Sequence, residues 1–322
     1  AGLFYGLTAA VIAIVFSAGR RIGSKALKTP ALWGIAAAAF SAIFFLKINF
    51  VLIIGSAALV GLLGHRFAPR QFPAGNGHGP SGGFSDEDAI VLPAPVRATP
   101  LRALRVAGLC LLLWWLPVLL AALVFGRGSI FFQEGVFFSK AALVTFGGAY
   151  AVLPYVAQQA VENHGWLAQT QMMAGLGLAE TTPGPLIMVL QFVGFVGAWQ
   201  NPGSLQPLLA GSIGAAITTW VTFLPCFLFV FLGGPHVESL RSRPALTRVL
   251  TTITAAVVGV ILNLALWFAI HAIHPEKGRL DAFIAVLALG AWIAMERFKV
   301  GVIATLGACA ALGLAWKIVS SV

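Results

Sequence analysis

The chain has 322 residues, of which 59% are hydrophobic and only 9% charged, with a mean hydropathy of +0.93. A soluble domain is about 25% charged, so an ordinary soluble globular protein, a secreted disulfide scaffold and a disordered tail are all excluded. The net charge is +10, but the basic residues fall in short loops between apolar runs, where Lys and Arg mark the cytoplasmic side of a membrane protein. No basic stripe with interleaved aromatics is present, which argues against a nucleic-acid partner. Cys110, Cys226 and Cys309 are isolated in apolar segments, so neither structural zinc nor a disulfide framework is expected.

Taken in chain order, the apolar segments run Gly2 to Ala18, Ala31 to Leu46 and Phe50 to Gly64. Residues 65–105 then form a linker rich in Pro and Gly, of the kind expected in water. Val106 to Phe125 reads as one span of about 20 residues. Val136 to Val161, Ala168 to Trp199, Leu208 to Leu232, Val249 to His271, Ala282 to Met295 and Val300 to Trp316 follow. Ala282 to Met295 is short for a full crossing. The expectation is an all-α polytopic membrane protein in contact with the lipid bilayer.

An internal repeat is legible. Leu7 to Val15 reads like Ile253 to Ile261, and Lys47, Gly55 and Leu59–Leu62 match Lys299, Gly307 and Ala311–Leu314. On equal repeats, roughly 110 or more residues of a first repeat should precede Ala1, so that the first repeat is truncated. Residues 1–64 then form the C-terminal half of that repeat, 106–125 a single connecting helix, and 126–322 a second repeat.

Loop charges orient the chain. With Arg20 to Lys28 inside, Lys47 falls outside, His65 to Arg105 inside and Arg127 outside; three further crossings return Arg241, Arg243 and Arg248 inside, and Lys277 falls outside. Lys47 and its counterpart Lys299 then lie on opposite sides. The repeats are inverted, an organisation characteristic of secondary transporters.

Two interruptions carry the candidate chemistry. The first is Thr145-Phe146-Gly147-Gly148-Ala149-Tyr150; the second is Glu180-Thr181-Thr182-Pro183-Gly184-Pro185. Pro183 disfavours helix at Thr182, Gly184 permits a turn, and Pro185 suits the first position of a new helix. Free N–H groups of Gly184, Leu186 and Ile187, and of Gly148, Ala149 and Tyr150, are suited to an anion. Broken backbone at membrane depth lines protein or a water-filled cavity, and a pair of such breaks points to a binding site; kinks satisfied by neighbouring helices are the structural alternative.

Glu180 is an intramembrane carboxylate that can carry a proton or cap the second helix. Lys140 can attract an anion or snorkel to the interface. Gln191 can donate to an oxyanion. Glu162 to Gly165 reads as a helix end with a glycine stop. His271 and His274 sit at a span's end, and no metal site is expected there. Enzymatic constellations are missing from the sequence. The only Asp residues are Asp86, Asp88 and Asp281, in loops or at a span edge, and neither HExxH, GxSxG nor a P-loop occurs. No cofactor is expected.

Phe146 to Pro154, Gly165-Trp166-Leu167, Gly177 to Leu186, Gln191 to Phe195, Thr218 to Pro225 and Ala255 to Asn263 together resemble the chromate ion transporter family, in its long, two-repeat bacterial form. The resemblance implies export of chromate, with sulfate as chemical analogue, across the bacterial inner membrane and without a cofactor. It also implies an FGG-type and a PGP-type motif in each repeat, of which this chain holds one set. A non-transporting membrane scaffold and a transporter of another oxyanion such as sulfate are the alternatives, and the assembly, including a homodimer, stays open. Cysteines introduced at positions 20 and 127 are expected to react with an impermeant thiol reagent from opposite sides; equal labelling of both in intact cells would refute the assigned orientation.

Overall fold

The computed structural model describes residues 2–67, 99–145, 149–181, 185–234, 244–273 and 281–320. The regular structure there is helical throughout. In order, α1 is Gly2–Ala26, α2 Pro30–Phe44, α3 Phe50–Phe67, α4 Pro100–Phe125 and α5 Ile130–Leu143. Then α6 is Ala149–Ala157, continued by a π-helical turn over Gln158–Asn163, and α7 is Gln169–Thr181. A 3-10 turn at Leu186–Met188 leads into α8, Val189–Gln200; α9 is Pro207–Gly233, α10 Pro244–Ile273, α11 Ala282–Arg297 and α12 Val302–Ser320. Five of these, α1, α4, α9, α10 and α12, are long and apolar enough to cross a membrane. The chain is a multi-pass membrane protein.

Local sequence explains the boundaries. Thr29, Ser129 and Asp281 cap α2, α5 and α11 by accepting from the N–H three residues on, which satisfies one orphan donor of each helix start. Pro30, Pro100 and Pro207 occupy first turns, where the missing N–H costs nothing. The Ser129 cap starts α5 six residues before the expected Val136, so Glu134 lies inside a helix rather than in a loop. The short apolar run from Ala282 extends to Arg297, and Glu296 and Arg297 are its last helical residues. Gly165 has φ +61°, which supports the predicted glycine stop, although the helix reaches it through a π turn.

At the centre α1 and α10 cross. A Cβ at Gly19 would meet Ile261 and Leu262, and one at Gly23 would meet Val258. Rising numbers on one helix meet falling numbers on the other, so the two helices are antiparallel. Each packs on the opposite half of the chain: α1 on α11 and α12, α10 on α2 and α3. A Cβ at Gly6 would collide with the carbonyl of Cys309 in α12, and one at Gly259 with the carbonyl of Ala36 in α2.

The matched halves repeat one another in detail. Thr29 and Asp281 are the equivalent caps. Ile48 N–H donates to Ala42 (3.1 Å) as Val300 N–H donates to Ala294 (3.2 Å). Lys47 at φ 49° and Lys299 at φ 57° close the two turns, and they are the only non-glycine residues with positive φ among those described. Gly6 abuts Gly313 as Thr252 abuts Gly61. The remaining helices form a second group, in which α9 packs on α4, α5 and α8.

Gly259→Val is expected to destabilise the protein by about 1–3 kcal/mol. Gly307→Ala, where a Cβ meets nothing within 4 Å, should be neutral or stabilising by up to about 1 kcal/mol. Thermal unfolding in detergent, followed by the monodisperse fraction, checks the pair.

Candidate functional site

The helix ends that flank the two interruptions come together. Tyr150, on the first turn of α6, donates its hydroxyl to Glu180 on the last turn of α7. Arg21 of α1 is near enough to act electrostatically on both groups. Phe146, Gly147 and Gly148 of the first break, and Thr182, Pro183 and Gly184 of the second, lie outside the described residues. The proposed amide cradles are therefore represented only by their flanks, Ala149 and Tyr150 on one side and Pro185 and Leu186 on the other.

Beside Tyr150 opens a cavity of about 420 Å³, lined among others by Ser17, Arg20, Arg21, Ser24, Glu296 and Lys299. Three cations thus face one carboxylate. Arg20 is ion-paired with Glu296, which also accepts from Ser17 Oγ at 2.8 Å. Arg21, which also acts on Glu180, and Lys299 are the cations left outside the Arg20–Glu296 pair, while the hydroxyls of Ser24 and Tyr150 already donate to the Arg21 carbonyl (3.0 Å) and to Glu180. Arg20, Arg21 and Ser24 were legible only as loop charges and their neighbours; they belong to the last turns of α1.

The other expected site residues are dispersed. Thr145 turns its hydroxyl back to the carbonyl of Ala141 (2.6 Å). Lys140 is exposed on α5 and lines none of the cavities described here. Thr181 is the last residue of α7. Pro185 is extended (φ −73°, ψ 130°) and precedes the 3-10 turn, so it stands one position outside the helix that it was expected to open. Pro185 and Gln191 line a separate, mostly apolar cavity of about 480 Å³ with Gly175, Met188 and Phe192. His271 donates to the carbonyl of Trp267 (2.9 Å), and His274 lies outside the described residues. No cluster of three His, Cys, Asp or Glu side chains occurs among those described.

Sequence reasoning missed Glu134. Its side chain is fully buried, and neither carboxylate oxygen has a hydrogen-bond partner among the described residues. A Cβ at Gly197 of α8 would come within 2.7 Å of Oε1, and one at Gly214 of α9 within 2.8 Å of Oε2. The two glycines leave the room the carboxylate occupies. Thr218 and Thr222 on α9 are buried and equally unpartnered. The signal was a single acid in the apolar run Phe131 to Phe138, masked by reading Arg127 to Gly135 as a loop.

Comparison with known proteins follows this geometry. The family described as Chromate transporter matches residues 132–314. The chain belongs to the chromate transporter family. A chromate transport protein of Pseudomonas aeruginosa is 32% identical over 80% of this chain and 53% of its own length. One from Cupriavidus metallidurans is 31% identical over 49% of this chain and 36% of its own. A probable chromate transport protein of Synechococcus elongatus is 26% identical over 88% of this chain and 62% of its own. The chain thus spans from about a third to three fifths of these relatives. No solved structure matches. The family match includes α5 to α11 and most of α12, with Glu134, Tyr150 and Glu180 inside it.

If Tyr150 and Glu180 act as a unit, Tyr150→Phe and Glu180→Gln should each lower stability by about 1.5–3 kcal/mol, and the double variant should fall well short of their sum. A thermal double-mutant cycle measures the coupling; strict additivity would separate the two residues.

Proposed function

We propose that the chain is a secondary transporter that carries a tetrahedral dianion, chromate, out of the cell across the bacterial inner membrane, and that it catalyses no chemistry. The observation that carries this reading is the basic cavity against the Tyr150–Glu180 pair, in a chain of this family. The cations there have the chemistry of an oxyanion site, beside the helix ends that Tyr150 and Glu180 join. Sulfate shares the shape and charge of chromate and is expected to compete. The two-repeat organisation, with residues 1–64, 65–105, 106–125 and 126–322 as its successive parts, is proposed with it.

Energetics favour export. Moving a unit charge through 100 mV is worth about 2.3 kcal/mol. A dianion leaving a negative interior therefore gains about 4.6 kcal/mol, an outward concentration ratio on the order of 10³. Potential alone suffices. Glu134 is the group best placed to bring a proton into the cycle, since an ionised carboxylate without a partner is costly in such a place, whereas Glu180 has Tyr150 and Arg21 to support its charge.

In energised inside-out membrane vesicles containing the protein, radiolabelled chromate should accumulate, and valinomycin with potassium should abolish accumulation. Uptake no greater than in vesicles lacking the protein would replace the transport reading with the scaffold. Glu134→Gln should accumulate normally in the membrane, since glutamine has the same shape. If Glu134 carries a coupling proton, uptake by this variant will no longer respond to nigericin, which dissipates the pH gradient.

A further inference from the structure

A third cavity, of about 250 Å³, has a lining that includes Lys47, Gln158, Glu162, Asn263 and His271. It is the counterpart of the basic cavity beside Tyr150. The shift of 246 that relates α1 to α10 takes Ser17, Ala18 and Arg21 to Asn263, Leu264 and Trp267. The shift of 252 that relates α11 to α2 takes Met295, Glu296 and Lys299 to Ile43, Phe44 and Lys47. All twelve residues line one cavity or the other. The pairing is one of position, and of the six pairs only Lys47 and Lys299 also share a residue type.

The two cavities open toward opposite ends of the molecule. The first lies at the C-terminal end of α1, the second at the C-terminal end of α10, and those helices are antiparallel. α2, at 15 residues, leads away from the basic end of α1 by about 22 Å before reaching Lys47. One helix borders both spaces: α6 gives Tyr150 to the first, and Pro154 and Ala157 to the second, which its π turn also lines with Gln158 and Glu162.

Lys47 and Lys299 stand at the two mouths in a left-handed conformation, uncommon for any residue but Gly, Asn or Asp. Glycine is what a helix end normally places there. Lysine at both positions is explained by its side chain: in each case the side chain lines the cavity and supplies a cation. Strained backbone of this kind persists where surrounding structure holds it, and it clusters at binding sites. Each turn is held by the matching hydrogen bond to the preceding helix, Ile48 to Ala42 and Val300 to Ala294.

We propose that Lys47 and Lys299 are the anion-recognising residues of two vestibules on opposite membrane faces, joined by a path along α6, and that each binds a divalent oxyanion. The assignment rests on the transport reading for the identity of the anion. In Arg20's vestibule, Lys299 acts beside Arg21; in the other, Lys47 acts beside Asn263 and Gln158.

The test uses the full chain in membrane vesicles with Cys110, Cys226 and Cys309 replaced by Ala. Ser24→Cys reports on the first vestibule and Asn263→Cys on the second. The impermeant anionic reagent 2-sulfonatoethyl methanethiosulfonate should label them from opposite sides, and sulfate should slow each reaction relative to gluconate at equal ionic strength. Lys299→Gly, which the left-handed backbone accepts more readily than lysine, should raise the sulfate concentration for half-protection at Ser24→Cys about tenfold and leave Asn263→Cys unchanged. Lys47→Gly should do the converse, and Arg at either position should restore protection. Labelling of both cysteines from one side, or protection that survives removal of the neighbouring lysine, overturns the proposal while leaving the transport reading intact. Failure of sulfate to protect either cysteine with both lysines present overturns the anion reading as well.

Discussion

The antiparallel crossing of α1 and α10 sets the positions of most other parts of the molecule. These are the most buried of the long helices, and small residues permit their close contact, with Gly19 and Gly23 of α1 set against Val258, Ile261 and Leu262 of α10. Between apolar helices in a bilayer there is little hydrophobic drive to associate, so close backbone approach and dispersion must supply the attraction. Because each crossing helix packs on the short helices of the other half, neither half forms its core alone. The basic C-terminal end of α1 is thereby carried to Tyr150, about 130 residues later in the chain.

The polar groups follow from that frame. Non-helical backbone inside a membrane needs protein or water around it, and the start of α6 meets the end of α7 beside such segments, with Tyr150 reaching Glu180 and Arg21 nearby. Glu134 represents the opposite arrangement. It has glycine on two sides and no hydrogen-bond donor among the described residues. One carboxylate is therefore tied to the basic cavity through Tyr150, and the other is enclosed among α5, α8 and α9. Two acids in such different settings are suited to different tasks, and proximity to the basic cavity distinguishes them.

Much of the architecture was legible because a repeat needs no knowledge of packing. Matching Lys47 to Lys299 and Leu7–Val15 to Ile253–Ile261 identified equivalent helices that the structure finds antiparallel. The exchange of partners between halves was not legible. In a soluble helix the apolar face shows which side is buried, but lipid is as apolar as the core, so α1 and α12 read alike although one is central and the other peripheral. The breaks were visible as Gly and Pro. Their joining through Tyr150 and Glu180 was not, because no spacing rule relates residues 30 apart on separate helices. Glu134 was misplaced for a simpler reason: polar residues before Gly135 imitate a loop, and only the Ser129 cap shows that the helix has already begun.

The two vestibules are equivalent in position and unequal in charge. One has Arg20, Arg21 and Lys299 against Glu296, with Glu180 behind Tyr150; the other has Lys47 against Glu162. A unit charge about 8 Å from a dianion contributes about 1–4 kcal/mol across effective dielectric constants from 80 down to 20, so the more basic vestibule holds an anion more tightly by a wide margin. That difference cannot drive transport, because binding energy gained on entry must be returned on release and cancels around the cycle. Its effect is on loading. In the proposed transport cycle the basic side would fill at low anion concentration, and the weaker side would release to a medium where the anion is already abundant. If Arg20 and Arg21 face the cytoplasm, as the loop charges indicate, a scarce cytoplasmic anion is captured and a concentrated external one is not retained, while the direction of net flux is left to the membrane potential.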